Sequence, residues 1–480
     1  MASANGNSKL AVFLKGSAIL VASNMCLKAI NFFLLPLYTA YLTPTMLGVS
    51  DSITTFTGFL LPLLTLGLDS AYSAFYFEKG DADRAKKVYT TLVVVFLLVG
   101  IAPLLLFPMA EPLSVLLFDT ADYGPIVMVA CASLSANLWY LPFALELRLR
   151  NNMFLFGLSN VVASLLMIGL NILFVSYLQL GPMALILSTL IVNIEQIIFL
   201  SVATHERPRR KYFSSPLLKS MLLFSLPLIP MVVMNWVLSL SDRYIILAFQ
   251  GGAAVGLYGI SARIANMANV VISAVQIAYT TFAFSSVGDE GIKRQYRMIF
   301  ITESLILLFA SFTLSVFGEE IVGLMASSAY AGAEKALRDL LFAQTLYAMT
   351  AVVSYGVLFK KKSAYLAVSV GCGALVNLAL NFMMIPSYGI EGAAFATLVG
   401  YLVNFTITYV FSEKCYPCDY GLKKVALCAV ALYVAAWAAA PMAVIVKILV
   451  MALGVLFVSV VFRKMIGKAA ALVWRRARKK

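Results

Sequence analysis

The segment Ala71-Tyr-Ser-Ala-Phe-Tyr-Phe-Glu-Lys-Gly-Asp81 returns in the second half of the chain as Ala278-Tyr-Thr-Thr-Phe-Ala-Phe-Ser-Ser-Val-Gly-Asp289. Leu170-Asn171 returns as Leu380-Asn381 at nearly the same separation, 210 positions (381 − 171) against 207 (278 − 71). Tyr177, Gly181 and Asn193 correspond in the same way to Tyr388, Gly392 and Asn404. One such match between apolar segments could arise by chance. Several matches at nearly one separation indicate a duplicated unit, which predicts two structurally similar halves.

The composition is that of a membrane protein. Of the 480 residues, 62% are hydrophobic and 12% are charged, whereas about 25% of the residues of a soluble domain are charged. The hydrophobic residues fall in blocks that reach the length of about 20 residues with which a helix crosses a bilayer. Dividing the chain at charged and turn-rich breaks predicts fourteen such helices, the first over 11–41. That first block is too long for the apolar core of a cleaved signal peptide, so we expect a retained helix.

Each copy of the repeat contains six of the predicted helices, and an even number gives both copies the same orientation in the membrane. The expected fold is therefore an all-α integral membrane protein with two pseudo-symmetric six-helix lobes, related by an axis along the membrane normal. We assign residues 1–211 to an N-lobe, 212–412 to a C-lobe, 413–462 to helices 13 and 14, and 463–480 to a basic cytoplasmic tail.

The basic residues are distributed over alternate loops. The formal net charge is +14, and clusters of Lys and Arg occupy loops at 84–87, 207–211 and 360–362. This alternation follows the positive-inside rule and predicts that both termini are cytoplasmic. No single basic face is left to bind nucleic acid, which excludes that class of partner. The basic tail, which includes Trp474, is expected to lie on anionic membrane lipids.

Two further segments are informative: Phe33-Leu-Leu-Pro-Leu-Tyr-Thr-Ala-Tyr-Leu-Thr-Pro-Thr-Met-Leu-Gly48 and Leu66-Gly-Leu-Asp-Ser-Ala-Tyr-Ser-Ala-Phe-Tyr-Phe-Glu78. With these segments and its repeated six-helix units, the chain resembles the bacterial oligosaccharide flippases of the polysaccharide transporter family. That family belongs to the multidrug/oligosaccharidyl-lipid/polysaccharide exporter superfamily. The resemblance covers nearly the whole chain and rests on apolar patterns, without a catalytic fingerprint.

The resemblance implies a flippase of the bacterial inner membrane that works by alternating access. Its cargo would be an undecaprenyl-diphosphate-linked oligosaccharide, such as an O-antigen repeat unit, and its partners would include other polysaccharide assembly proteins. Two alternatives stay open. Lipid II-type peptidoglycan precursor flippases also carry the extra helix pair, and the same superfamily contains ion-coupled multidrug/cation antiporters.

Polar residues recur at helical spacing on four of the predicted helices. They are Asn24, Lys28 and Asn31 on helix 1, Asp51 and Asp69 on helix 2, Asn235 and Asp242 on helix 7, and Arg263, Asn266, Asn269 and Gln276 on helix 8. Spacings of three, four and seven residues place side chains on one face of a helix. Because helices 1 and 2 correspond to helices 7 and 8 in the repeat, we expect these faces to line a water-filled cleft between the lobes.

Lys28 and Arg263 are the main candidates for binding the cargo. Each lies well inside its predicted helix, where an unpaired cation costs at least ~2.5–3.5 kcal/mol. We expect both to bind the diphosphate, Arg263 through its planar fork and Lys28 as a point charge. The sugars would then meet Asn24, Asn31, Asn235, Asn266, Asn269 and Gln276, and Arg243 is a weaker cationic candidate. In the alternative interpretation, the cations form buried ion pairs with Asp51, Asp69 or Asp242.

Candidates for coupling to an ion are the carboxylates Asp51, Asp69, Asp242 and Glu195, which could bind H⁺ or Na⁺. Glu303 is instead expected near a helix end, with its carboxylate reaching water. Apart from a coupling ion, we expect no cofactor, no metal site and no catalytic residue. The chain lacks the phosphate-binding motif GxxxxGK(S/T), which argues against ATP hydrolysis. The largest predicted outer loop, 318–335, is short for a membrane glycosyltransferase, so an enzyme is not expected.

Overall fold

A computed structural model describes residues 33–78, 83–150, 152–204, 206–285 and 291–463. Within these ranges the chain is all-helical, without a β-strand. Eleven of the helical segments are long and apolar enough to cross a membrane. The expectation of an all-α, multi-pass membrane protein is confirmed.

The helices of the N-terminal half are α1 (Leu35–Tyr41), α2 (Pro44–Thr65), α3 (Leu68–Tyr76), α4 (Arg84–Val99), α5 (Ala110–Phe118), α6 (Gly124–Leu149), α7 (Met153–Asn171) and α8 (Met183–Ala203). Those that follow are α9 (Ser215–Ser225), α10 (Ile229–Leu240), α11 (Asp242–Ala265), α12 (Ala268–Ser285), α13 (Ile292–Val316), α14 (Gly318–Met325), α15 (Glu334–Val353), α16 (Tyr355–Phe359), α17 (Ala364–Cys415), α18 (Leu422–Ala439) and α19 (Val444–Val461).

Two of the segments are about twice as long as one membrane crossing requires. Residues 215–265 and α17 comprise 51 and 52 residues, whereas about 20 suffice for a bilayer. Each contains one glycine with a positive φ that interrupts the helix, Gly251 (φ 78°) and Gly389 (φ 55°). These glycines fall where the sequence predicts the boundaries between helices 7 and 8 and between helices 11 and 12. The count of fourteen stays a prediction, because most of the first predicted helix lies outside the described residues.

The long helices are bent at the positions that local chemistry dictates. Between α2 and α3, Leu66 and Gly67 both adopt left-handed backbone angles. Between α9 and α10, the chain forms a 3₁₀ turn at Leu226–Leu228, next to Pro227 and Pro230. Proline removes a backbone donor and clashes with the preceding turn, which accounts for the bend at these two prolines.

Helices α2 and α11 cross at very short distance through glycines. A Cβ atom on Gly48 would overlap the carbonyl oxygen of Gly252, and one on Gly256 would overlap the carbonyl oxygen of Pro44. The two contacts are reciprocal, since Pro44 and Gly252 each stand four residues before the glycine of their own helix. Reciprocal contacts of this kind are what a two-fold relationship between two units produces.

The remaining helices pack in two groups on either side of this crossing. In the first group α6 packs against α4 and α8, and in the second α15 packs against α13 and α17. The segment α9–α10 connects them, because α9 packs on α3 and α4 whereas α10 packs on α17. The lobe boundaries of the sequence analysis stay predictions.

The last two helices are attached to the second group. Helix α18 packs along α13, and α19 contacts both of them. Lys447 of α19 is 1% exposed and its Nζ lies 2.6 Å from Oε1 of Glu320 in α14. A buried cation is tolerated only when it is paired, and here the pair ties α19 to α14.

Candidate functional site

Two cavities meet where α11 ends and α12 begins. The N-side cavity has a volume of about 600 Å³, and its polar lining includes Tyr38, Asp51, Thr54, Asn171, Thr189 and Arg263. The C-side cavity has a volume of about 470 Å³, and its polar lining includes Asn235, Ser239, Asp242, Arg243, Gln344 and Tyr401. Asn266 and Asn269 line both cavities. Each volume is in the range of small-molecule sites, about 300–1,000 Å³.

The boundary between the cavities is an amide network at the break between α11 and α12. The carboxamide oxygen of Asn266 accepts hydrogen bonds from Nδ2 of Asn269 (3.0 Å) and from Nε2 of Gln344 on α15 (2.9 Å). The break leaves the helix backbone irregular, and irregular backbone at membrane depth is tolerated where it lines a polar cavity. A ligand in either cavity therefore meets the same pair of asparagines.

Arg263 projects into the N-side cavity and is paired there with Asp51. Its Nη2 lies 2.6 Å from Oδ1 of Asp51, and its guanidinium carbon lies 5.9 Å from the centre of the Tyr38 ring. Gly259 packs directly against the second carboxylate oxygen of Asp51. The other terminal nitrogen of Arg263, Nη1, is buried and has no hydrogen-bond partner among the described residues. The ion pair with Asp51 is thus formed, and part of the guanidinium remains unsatisfied.

Arg243 occupies the equivalent place in the C-side cavity, beside Asp242. Asp242 is buried and accepts hydrogen bonds from the hydroxyls of Tyr258 and Thr397 and from the backbone N–H of Arg243. Nη1 of Arg243 is 3.9 Å from Oδ1 of Asp242, which is beyond hydrogen-bond distance. The carboxylate is occupied by other donors, whereas no hydrogen bond of the Arg243 guanidinium is found within the described ranges. Arg243, the weaker cationic candidate from the sequence, therefore has more N–H groups without an acceptor in the described part of the chain than Arg263 has.

Four of the other predicted residues lie on four different helices. Asn235 lines the C-side cavity, and Gln276 lies two turns beyond Asn269 on α12. Asp69 is exposed in the first turn of α3, beyond the bend that separates it from Asp51. Glu195 lies on α8 next to Gln196, whose Nε2 donates to its carboxylate (3.2 Å), and α8 packs within the first group of helices. Asn24, Lys28 and Asn31 lie outside the described residues.

The position of Glu303 differs from the one that the sequence predicts. It is the twelfth residue of the 25-residue helix α13 and is 5% exposed. The prediction of a carboxylate near a helix end that reaches water is wrong, because α13 begins before Lys293, Arg294 and Arg297 and includes them. Basic residues at the membrane surface form its first turns, and Glu303 lies at mid-helix.

Several polar residues of the cavities were not among the predicted ones. They are Gln344, Tyr347, Thr397 and Tyr401 on the C side, with Asn171 and Thr189 on the N side. Gln344 and Tyr347 are one turn apart on α15, and Thr397 and Tyr401 are one turn apart on α17, so helical spacing did offer a signal for these two pairs. Asn171 and Thr189 have no polar partner at helical spacing among the described residues that line the N-side cavity.

The lining of the two cavities suits the binding of a ligand through hydrogen bonds. Among the described residues, no group of three or more His, Cys, Asp and Glu side chains could hold a metal ion. The four described charges of the cavities are two arginines and two carboxylates. The two carboxylates already accept hydrogen bonds, whereas N–H groups of the two guanidiniums have no acceptor among the residues that the structure describes. The cavities can therefore still donate hydrogen bonds to a ligand. A ligand rich in acceptor oxygens complements such a lining.

Residues 40–335 match the family described as polysaccharide biosynthesis protein. No curated protein matches the sequence significantly.

Solved structures of transporters share the fold. The lipid II flippase MurJ in its inward closed conformation is similar with a TM-score of 0.73 and 16% sequence identity, covering 93% of this chain and 100% of that chain. An inward-facing multidrug resistance MATE family transporter of the MOP superfamily has a TM-score of 0.66 and 16% identity, covering 81% and 94%. An outward-facing MATE family transporter has a TM-score of 0.60 and 17% identity, covering 83% and 95%. At these identities the likeness is one of fold.

Proposed function

The chain belongs to the polysaccharide biosynthesis protein family, and we propose that it flips a polyprenyl-diphosphate-linked oligosaccharide from the cytoplasmic to the outer leaflet of the bacterial inner membrane. Family membership and the transporter fold support a membrane flippase and not a catalyst. The proposal adds the cargo, the direction of transport and the cytoplasmic position of both termini. The cargo fits a cavity lined by spare hydrogen-bond donors, since a diphosphate offers only acceptors.

The observation that carries the proposal is the state of the two arginines. Arg263 is held by Asp51 through one nitrogen, and Arg243 lies 3.9 Å from its nearest carboxylate. Arginine has five N–H donors in a fork that matches phosphate oxygens. The N-side and C-side cavities meet at Asn266 and Asn269, so one elongated head group would contact both arginines. Lys28 is a proposed third cation on helix 1.

The transport cycle follows from the packing of the helices. In the proposed cycle, the crossing of α2 and α11 closes one end of a cleft between the two groups of helices. We propose that the diphosphate and sugars enter the cavities from the other end while the polyprenyl chain stays in lipid. Separation of the crossing would then expose the head group on the opposite side, which is alternating access about the pseudo-two-fold axis.

The test is head-group transfer in proteoliposomes that contain a fluorescent polyprenyl-diphosphate oligosaccharide. Arg243→Gln and Arg263→Gln each remove one charge from the cavities, and Lys28→Gln tests the third cation. Loss of one charge-assisted hydrogen bond, about 1.5–3 kcal/mol, should slow transfer by about tenfold to a hundredfold. Arg297→Gln is the matched control, because Arg297 pairs with Asp419 at an exposed site (2.8 Å) and should transport like wild type.

A structural role for Arg263 has a different signature. If Arg263 only neutralises Asp51, the double variant Asp51→Asn/Arg263→Gln removes both charges of the pair and should recover transport. Under the proposal the double variant stays slow although it folds. Wild-type protein that transfers only lipid II would identify the peptidoglycan precursor flippase. Efflux of organic cations without transfer of any anionic lipid would identify the antiporter.

A further inference from the structure

Glu303 is a buried carboxyl that the transport cycle described above does not use. Both of its carboxyl oxygens lack a hydrogen-bond partner among the described residues. It is 5% exposed at the middle of α13. Its burial is inside the protein and not against lipid, because neighbouring helices cover it. An ionised carboxylate in such a place would be unusually costly without a cation.

The surroundings of Glu303 are the junction of α12, α13 and α15. Leu307, one turn further along the same face of α13, forms a buried cluster with Ile272 of α12 and Ala348 of α15. The titratable group that interacts with Glu303 from α12 is Tyr279, whose hydroxyl is also buried without a partner among the described residues. Three other titratable groups lie on helices packed against α13. Cys428 of α18 is buried. Asp339 of α15 is bonded to Arg338 and Tyr433, and Lys447 of α19 is bonded to Glu320. No described cation pairs with Glu303.

The first half of the chain provides the contrasting case. Glu146 on α6 is fully buried as well, but it pairs with Arg150 and accepts hydrogen bonds from the hydroxyls of Tyr72 and Tyr76. Tyr72 occupies the same place in the repeated segment as Tyr279. Glu146 thus has every partner that an ionised carboxylate requires, and Glu303 has none of them.

We propose that Glu303 is a proton-binding site, occupied when α12 is packed against α13, and that it couples transport to a proton gradient. The proposal rests on the proposed function and deepens it by naming the coupling ion and its site. Helix α12 begins at the break beside Asn266, where the two cavities meet, so cargo and proton act on the same helix from different faces. When α12 moves away from α13, water reaches Glu303 and the carboxyl releases its proton to that water. Before α12 packs back, Glu303 takes up a proton from water on the other side of the membrane, so the proton crosses once per cycle and no other reactant is needed.

The chemistry of the site favours a proton over a sodium ion. Sodium requires several oxygen ligands around it, and the carboxyl of Glu303 with the hydroxyl of Tyr279 supplies too few. A proton needs only one carboxyl oxygen and removes the charge that makes burial costly.

Infrared difference spectroscopy on the purified full-length protein tests the site directly. Wild type at neutral pH should show the C=O stretching band of a buried protonated carboxyl, and Glu303→Gln should lose that band. Glu146→Gln is the matched control and should retain it, because the carboxylate of Glu146 pairs with Arg150 and accepts hydrogen bonds from two tyrosine hydroxyls. A wild-type spectrum without the band, or a band that persists in Glu303→Gln, overturns the proposal. Gln is the neutral isostere of a protonated Glu, so a large fall in the Tm of Glu303→Gln would also contradict it.

The coupling is read from transport with and without an imposed pH gradient. The ratio of the two rates should fall to one in Glu303→Gln and stay at the wild-type value in Glu146→Gln. An unchanged ratio in Glu303→Gln overturns the coupling. Failure of wild type to transfer any lipid-linked oligosaccharide would count against the proposed function alone, because the infrared result decides the proton site independently.

Discussion

Gly259 determines where the carboxylate of Asp51 can lie, and through it the orientation of Arg263. The position of its missing Cβ is filled by a carboxylate oxygen of Asp51, and Arg263 follows one turn later on α11. A side chain at residue 259 would push the carboxylate away from the guanidinium. Geometry at this single position therefore holds the N-side cation in place.

We expect Gly259→Ala to weaken both folding and transport. Overpacking of this kind costs about 1–3 kcal/mol, which should lower the Tm in detergent and slow head-group transfer by roughly tenfold or more. Gly371→Ala is the matched control, because no atom lies within 4 Å of the Cβ it would add to α17. Equal effects of the two substitutions would show that residue 259 has no special role.

Among single residues, the sequence identified a polar series along one predicted helix and missed polar residues contributed by other helices. Arg263, Asn266 and Asn269 recur at every third position across the break between α11 and α12, and the structure brings all three to the cavities. Tyr401 and Gln344 reach the same cavity from separate apolar helices. Their proximity depends on how helices pack, which periodicity within one helix does not encode. The binding roles of all these residues stay predictions.

At the scale of helices, the proposed alternating access requires the crossing of α2 and α11 to separate. Thr45 and Gly252 lie opposite each other there, with a Cβ on Gly252 placed 3.6 Å from Cγ2 of Thr45. Cysteines at these positions have the spacing of a disulfide. We expect Thr45→Cys/Gly252→Cys, oxidised in a background without the native cysteines, to stop head-group transfer until a reductant is added.

The single-cysteine variants, treated with the same oxidant, serve as the controls and should transport throughout. A cross-linked protein that transports at the rate of the reduced protein would contradict alternating access through this crossing.

The bends of the helices were easier to anticipate than the crossing. Proline chemistry predicts the break at Leu226–Leu228, whereas the left-handed pair at Leu66 and Gly67 has only one glycine as a signal.

For the molecule as a whole, composition and the lengths of the hydrophobic blocks were sufficient to predict an all-helical, multi-pass membrane protein, whereas the arrangement in two similar halves stays a prediction. The reciprocal glycine contacts between α2 and α11 are consistent with that symmetry. The wrong placement of Glu303 arose because helices were divided at charged residues, while α13 contains its basic residues. Boundaries drawn from charge alone shorten any helix whose ends extend beyond the bilayer, and they move buried carboxyls toward apparent helix ends.

The central claim is that the cavities recognise the diphosphate of a lipid-linked oligosaccharide. The most direct measurement compares wild-type proteoliposomes loaded with a fluorescent polyprenyl-diphosphate oligosaccharide and with the same lipid and sugars joined by an uncharged linker. Our account predicts transfer of the diphosphate lipid and at least about tenfold slower transfer of the uncharged one, since the uncharged lipid lacks the oxygens that Arg243 and Arg263 would bind. Equal transfer of both lipids, or transfer of neither together with efflux of organic cations, would contradict it.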